Sequence, residues 1–245
     1  MIYLYAIIDS PDQDLPDQDA LDAQKLSQLV YRDIAAVYSS FQPDRESAVL
    51  ATSQENLWKH EAVLETLMTA HALLPLRFGT VFATPPLLEV LLQEKYDKFS
   101  ANLARVHGCV ELSLHLNLQD DAFLSQPTAD DPQLQFKAAL PRFARNDMNG
   151  KEYMAALLRA RKHEQDYKLL VETRASEILQ SLDDLAVEYA RTVPEKSTPV
   201  LKSAYLIKRD NLEHFQQEVN NLAAAFPDCH FAMTGPWPPY NFINN

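Results

Sequence analysis

The sequence predicts an α+β fold, and three observations carry that expectation. Runs rich in Ile, Val, Leu and Tyr recur at Ile2–Ile8, Ile34–Phe41, Val110–Leu118, Val200–Lys208 and Asp228–Met233, each bounded by turn-forming residues. Segments with apolar residues at helical spacing lie between them. One of these, Lys151–Arg191, runs without Pro or Gly and is rich in Ala, Leu, Glu, Lys and Arg, so a single helix there would be about 60 Å long.

The chain has 245 residues, 47% of them hydrophobic and 23% charged, which is enough for a buried core and allows one or two domains. A formal net charge of −12 argues against non-specific nucleic-acid binding, which needs Lys and Arg to displace counterions from phosphates. It also disfavours anionic lipid headgroups. The opening Met1–Asp9 is apolar but short and lacks a basic flank, so no signal peptide is expected. No apolar run approaches the roughly 20 residues a membrane helix needs. A cytoplasmic location follows as the expectation. Cys109 and Cys229, in apolar runs, read as buried free thiols.

In the first third, Ile2–Ile8 is apolar almost throughout, as a strand buried on both faces would be. Ala20–Tyr31 has helical spacing through Leu21, Leu26, Leu29 and Val30, and Ile34–Phe41 reads as a second strand. Ser53 is placed to cap a helix through Leu57, Trp58, Ala62, Leu64, Leu67 and Met68, with Asn56 at the third position. Leu73–Phe82 follows as extended chain, with Pro75 suited to a sheet edge because it donates nothing to a ladder. Pro85 and Pro86 open a helix over Leu87–Phe99 that reaches Val106 before Gly108 ends it.

Val110–Leu118 alternates cleanly, with Val110, Leu112, Leu114, Leu116 and Leu118 on one face and Glu111, Ser113, His115 and Asn117 on the other. Polar Gln119–Ala144 reads as a mobile connection. Within 151–191, Val171, Ala175, Ile178, Leu182, Leu185 and Tyr189 form a heptad seam, while the same register meets Arg161, Glu164 and Lys168 earlier. A strand over Val200–Lys208, a helix over Asn211–Phe226 and a last strand complete an order that resembles a ferredoxin-like split βαβ arrangement with an extended first helix. Two domains are expected: 1–82, and 83–233 with its long helix, although residues 83–107 suit either. A Pro-rich aromatic tail follows at 234–245.

A search for chemistry returns little. With four glycines the chain cannot build a Gly-rich phosphate loop, and no Gly-x-Ser-x-Gly elbow is present. None of the seven histidines pairs with another at metal-ligand spacing, and His60-Glu61 lacks the second His of a zinc helix. Asp9, Asp12, Asp14, Asp17 and Asp19 read as a solvated acidic loop rather than a calcium loop, which needs a glycine at its turn. No catalytic residue, metal ligand or cofactor is expected.

Two segments are unusual. Leu73–Phe82 carries Arg77 inside an apolar run, where a charge needs exposure, a carboxylate such as Glu61, or a partner protein. Thr234–Phe242 holds three prolines with Trp237, Tyr240 and Phe242, and reads as a stiff polyproline-II-like rod. Its place directly after the last strand favours packing on the chain's own surface, with Trp237 largely buried.

These strings carry a resemblance. Trp58-x-His60-Glu61, Leu74-Pro75-Leu76-Arg77-Phe78-Gly79-Thr80-Val81-Phe82 and Thr234-Gly235-Pro236-Trp237-Pro238-Pro239-Tyr240-Asn241-Phe242 resemble the gas vesicle protein F/L family, as does the aromatic start Ile2-Tyr3-Leu4-Tyr5-Ala6. Asn241 stands where Ser is common. The resemblance implies two α+β domains, the second a modified ferredoxin-like fold with long extended helices. It implies an accessory protein of gas vesicle formation, in the cytoplasm or on the vesicle, whose partners are the hydrophobic shell protein and other accessory proteins. It supplies no catalytic residue and no cofactor. Arg77, Phe78, Ile178, Leu182, Trp237 and Tyr240 are the candidate interaction or inter-domain residues. The alternative is an enzyme with a distributed inter-domain site, which ligand-induced thermal shifts would reveal.

Overall fold

The computed structural model describes residues 1–9, 15–118, 150–192 and 200–243. Strand β1 (Ile2–Asp9) is the apolar centre of the first sheet and is buried along nearly its whole length. The sheet order is β2 (Ser27–Tyr31), β3 (Ile34–Ser40), β1, β4 (Leu73–Pro75), and β5 (Val81–Phe82) also pairs with β1. Every pairing is antiparallel. A register shift between Leu4 and Ala6 changes which residues of β1 share a face. Tyr3, Tyr5, Ala6 and Ile8 face one core cluster, and Ile2, Leu4 and Ile7 another.

Helices cover both faces. After the short α1 (Glu46–Val49), α2 (Gln54–Ala70) starts where Ser53 Oγ accepts the Asn56 amide at 3.2 Å, as expected of that cap. It buries His60, Val63, Leu64, Leu67 and Met68, one helical stripe, against the Tyr3–Tyr5 side. Helix α3 (Pro85–Val106) opens on its two prolines and lays Leu88, Leu92, Leu103 and Val106 on the opposite face. It packs on β1 to β5, so the helix beginning at 85 sits with the first sheet rather than with the second half of the chain.

The second sheet has the order β7 (Glu188–Thr192), β8 (Val200–Lys208), β6 (Cys109–Leu118), β9 (Cys229–Trp237), again antiparallel throughout. Its apolar face, Val110, Leu112, Leu114 and Leu116, meets α4 (Gly150–Leu185) and α5 (Leu212–Ala225) through Val171, Ala175, Ile178, Leu182, Phe215 and Val219. The halves are tied by polar contacts: Arg209 Nη2 donates to the Met68 carbonyl at 2.7 Å, and His107 Nδ1 lies 3.1 Å from Asp9 Oδ2.

Several expectations are corrected. Ala20–Tyr31 is no helix: Asp22 and Ala23 have positive φ, and Ser27–Tyr31 pairs with β3 through a tight turn at Arg32-Asp33. The long helix ends at Leu185 rather than Arg191, because Glu188–Thr192 is taken up as the edge strand beside β8. Leu73–Phe82 is two short strands joined by a turn. Glu111, assigned to an open face of β6, is buried under the tail. The tail does not begin as a polyproline rod, since β9 continues through Gly235 to Trp237, which pairs with Glu111. Trp237 remains 36% exposed, while Pro238, Pro239 and Phe242 are buried. Cys109 and Cys229 are buried and free, and His115 is exposed. The expected connection Gln119–Ala144 and part of the Asp9–Asp19 cluster lie outside the described residues.

Candidate functional site

The unusual segments meet at the end of β1. After β4 the chain turns at Arg77–Thr80, where the Thr80 amide donates to the Arg77 carbonyl at 3.2 Å and Gly79 takes φ +89°. This turn lays Phe78 edge-on against Tyr3 and His60. The Gly79 amide donates to Tyr3 Oη at 2.9 Å, and Tyr3 Oη lies 3.0 Å from His60 Nδ1. His60 Nε2 lies 3.1 Å from the Leu76 carbonyl, which can only accept. The protons are therefore fixed: Nε2–H donates to Leu76, Nδ1 accepts from Tyr3, and His60 is neutral. Burial holds its pKa down at about 4.

The tail closes over this cluster. Tyr240 Oη donates to Glu61 Oε1 at 3.0 Å, and burial pushes both groups' pKa values up. The Asn241 amide and Nδ2 donate to the two oxygens of Glu111 at 2.9 and 2.6 Å, while burial raises that carboxyl's pKa. Arg105 of α3 donates to the Phe242 carbonyl and reaches Glu188 of β7 at 3.4 Å. Tyr240, Glu61, Asn241 and Glu111 satisfy one another, while Arg105 keeps its Nε buried without a hydrogen-bond partner. Their chemistry is that of a clasp holding the tail, β1, α2 and β6 in one arrangement.

Beside the clasp, α3 and the Leu74–Thr80 segment border an open groove of about 440 Å³ that Arg77, Lys95, Lys98 and Tyr240 help to line. Of the six candidate residues, Arg77 and Tyr240 line this groove, and Phe78 packs in the adjoining Tyr3–His60 cluster. Arg77 is exposed and does not pair with Glu61, whose partner is Tyr240. Trp237 stands apart, its Nε1 donating to Thr234 Oγ1 at 3.2 Å. Ile178 and Leu182, read as candidate interaction or inter-domain residues, are buried beneath the second sheet, where side chains of the same chain cover them. His60, Glu61 and Glu111 are the groups that residue-type reasoning missed. His60 and Glu61 lie in a string that carries the resemblance, and Glu111 gave no signal because its cover arrives from the distant tail.

The chain matches the family model described as Gas vesicle synthesis protein GvpL/GvpF over residues 1–244. It belongs to the GvpL/GvpF family. Among its relatives, it is 27% identical to gas vesicle protein L of a Streptomyces species, covering 98% of this chain and 91% of that one. It is also 27% identical to gas vesicle protein F of a Nostoc species, covering 93% and 91%. The crystal structure of GvpF from Microcystis aeruginosa superposes with a TM-score of 0.72 at 24% identity, covering 100% of this chain and 99% of that one. GvpF from an Anabaena species gives 0.70 at 22%, covering 100% and 96%. The strings read from the sequence supply His60, Glu61, Gly79, Tyr240 and Asn241 to the clasp, and Glu111 and Arg105 complete it.

Proposed function

We propose that this protein acts in gas vesicle formation by binding the hydrophobic shell subunit, as an accessory protein that holds the subunit until it joins the wall or stays as a minor vesicle component. The observation that carries the reading is the family match along almost the whole chain. A strongly apolar subunit aggregates unless its surface is covered, and apolar surface on a partner supplies that cover. Exposed Leu158 and Leu169 on α4, at 60% and 64%, offer such surface, as do Trp58 on α2 and Leu87 and Val90 on α3. In this reading the protein works by binding rather than catalysis, in the cytoplasm or on the vesicle, with other accessory proteins as further partners. The described helices include none long and apolar enough to cross a membrane.

The same reading treats the chain as two units. The strand order β7-β8-β6-β9 with α4 and α5 against one face supports a modified ferredoxin-like second unit.

The test is a pull-down of the shell subunit by the full chain, beside a deletion strain scored for vesicles. Retention of the subunit and loss or malformation of vesicles is the expected result. Normal vesicles in the deletion strain, with binding to neither the subunit nor any other gas vesicle protein, would refute it.

A further inference from the structure

Along α3, Leu87, Leu91, Lys95, Lys98 and Asn102 succeed one another at spacings of four, four, three and four, which aligns them as one stripe down the helix. The stripe is about 22 Å long. It forms one wall of the groove from Leu91 onward, and Leu87, 52% exposed, continues it beyond the groove. Phe99 adds apolar lining, and Arg77, on the turn after β4, lines the same groove as the two lysines.

The chain carries a formal −12 overall, yet three cations converge on one groove. Among the described residues no carboxylate stands within the ion-pair distance of Arg77, Lys95 or Lys98, which line the same groove; Lys208 and Arg209 also lack a carboxylate but donate to backbone carbonyls. Three cations without carboxylate partners, interleaved with Leu91 and Phe99 and followed by Leu87, call for a ligand that presents apolar and acidic side chains together.

We infer that this groove docks an acidic amphipathic helix of a partner protein, with its leucine-like side chains against Leu87, Leu91 and Phe99 and its carboxylates at Arg77, Lys95 and Lys98. The length of the stripe suits about four turns of helix and exceeds a small anion. An anionic lipid surface is disfavoured, because it would face the net negative charge of the whole molecule, while a single segment meets only the local cations.

The site rests on the reading of this chain as a binding protein, and its test separates the two. Fluorescence anisotropy of the full chain is measured with a labelled 16-residue helical peptide whose apolar face is Leu and whose flanking positions are Glu, and with matched Gln and Lys peptides. The Glu peptide is expected to bind best. K95E/K98E should weaken it at least tenfold and gain affinity for the Lys peptide, while K162E/K202E, equal in charge change but elsewhere on the surface, should leave both unchanged. Circular dichroism checks folding. Equal binding of all three peptides, no peptide binding, the same response to K162E/K202E, or tighter capture by phosphatidylglycerol vesicles would overturn the inference. If the groove fails while the shell subunit still binds the wild-type chain, the functional reading stands without it.

Discussion

The Tyr240 hydroxyl donates to Glu61 at 3.0 Å, joining the tail to α2 across 179 residues of chain. Half-buried Glu61 has its carboxyl pKa pushed up by desolvation, so the phenol is its compensation. Tyr240→Phe keeps the ring and deletes the donor. It is expected to cost about 1–2 kcal/mol in urea unfolding, the scale of a buried acceptor left unsatisfied. An unchanged midpoint would mean that water replaces the phenol.

The apolar anchor of the tail is Phe242, only 2% exposed, not Trp237. Phe242→Ala should therefore cost about 3–5 kcal/mol, and Trp237→Ala clearly less. Truncation after Thr234 removes both, together with the Asn241 bonds to Glu111, and should lower the melting temperature at least as much as Phe242→Ala. The reverse ranking of the two single variants would contradict the packing described.

Much of this architecture was legible in the sequence because local pattern and tertiary demand agree. The unbroken apolarity of Ile2–Ile8 foretold a central strand, the Ser53 cap was placed correctly, and the Val171–Leu182 seam is buried as its spacing required. Failures fell where a distant partner decides. Ser27–Tyr31 and Glu188–Thr192 are edge strands with little burial to imprint a pattern, and each exists through pairing with one neighbour. The candidate site was half legible. Its strings were recognised, but Glu111 owes its burial to a tail 130 residues away, which no local pattern encodes.

His60 predicts a pH dependence. Unfolded, its imidazole takes up a proton near the ordinary 6.5, whereas burial holds the folded ring neutral down to about 4. Between those values the unfolded state binds more protons, so this group's contribution is complete above pH 6.5 and is lost as the pH falls toward 4. The loss amounts to about 3 kcal/mol. Glu61 and Glu111, with raised pKa values, act in the opposite sense. The measurement is therefore the stability difference between the wild type and His60→Gln, which should shrink as the pH falls from 7 to 4. A constant difference would show that the folded ring takes up its proton at the same pH as the unfolded one.

Ile178→Asp and Leu182→Asp should act through the fold rather than at a binding surface. Both side chains are buried against β6 and β8 residues, and an unpaired carboxylate there is costly. Lost helicity by circular dichroism is the expected outcome. A folded variant that merely fails to bind a partner would reopen these residues as an interface.

Gly235 gives the sharpest test of how the tail is aimed. Its φ is +118°, where side chains are strained, and a Cβ would stand 2.9 Å from the Glu111 carbonyl oxygen and 3.0 Å from Leu112 Cδ2. The carbonyl belongs to β6 and cannot yield without disturbing the strand that carries Glu111. Gly79 supplies the comparison, with φ +89° but open space around a Cβ. Gly79→Ala should therefore cost about 1–2 kcal/mol for backbone strain alone, and Gly235→Ala about 2–3 kcal/mol more for the added contact. If Gly235→Ala acts by lifting the tail, the loss from Tyr240→Phe should largely vanish in its background, because the Glu61 bond is already broken. Additive losses in the double-mutant cycle would show that the tail stays clasped and that the strain is absorbed in β6.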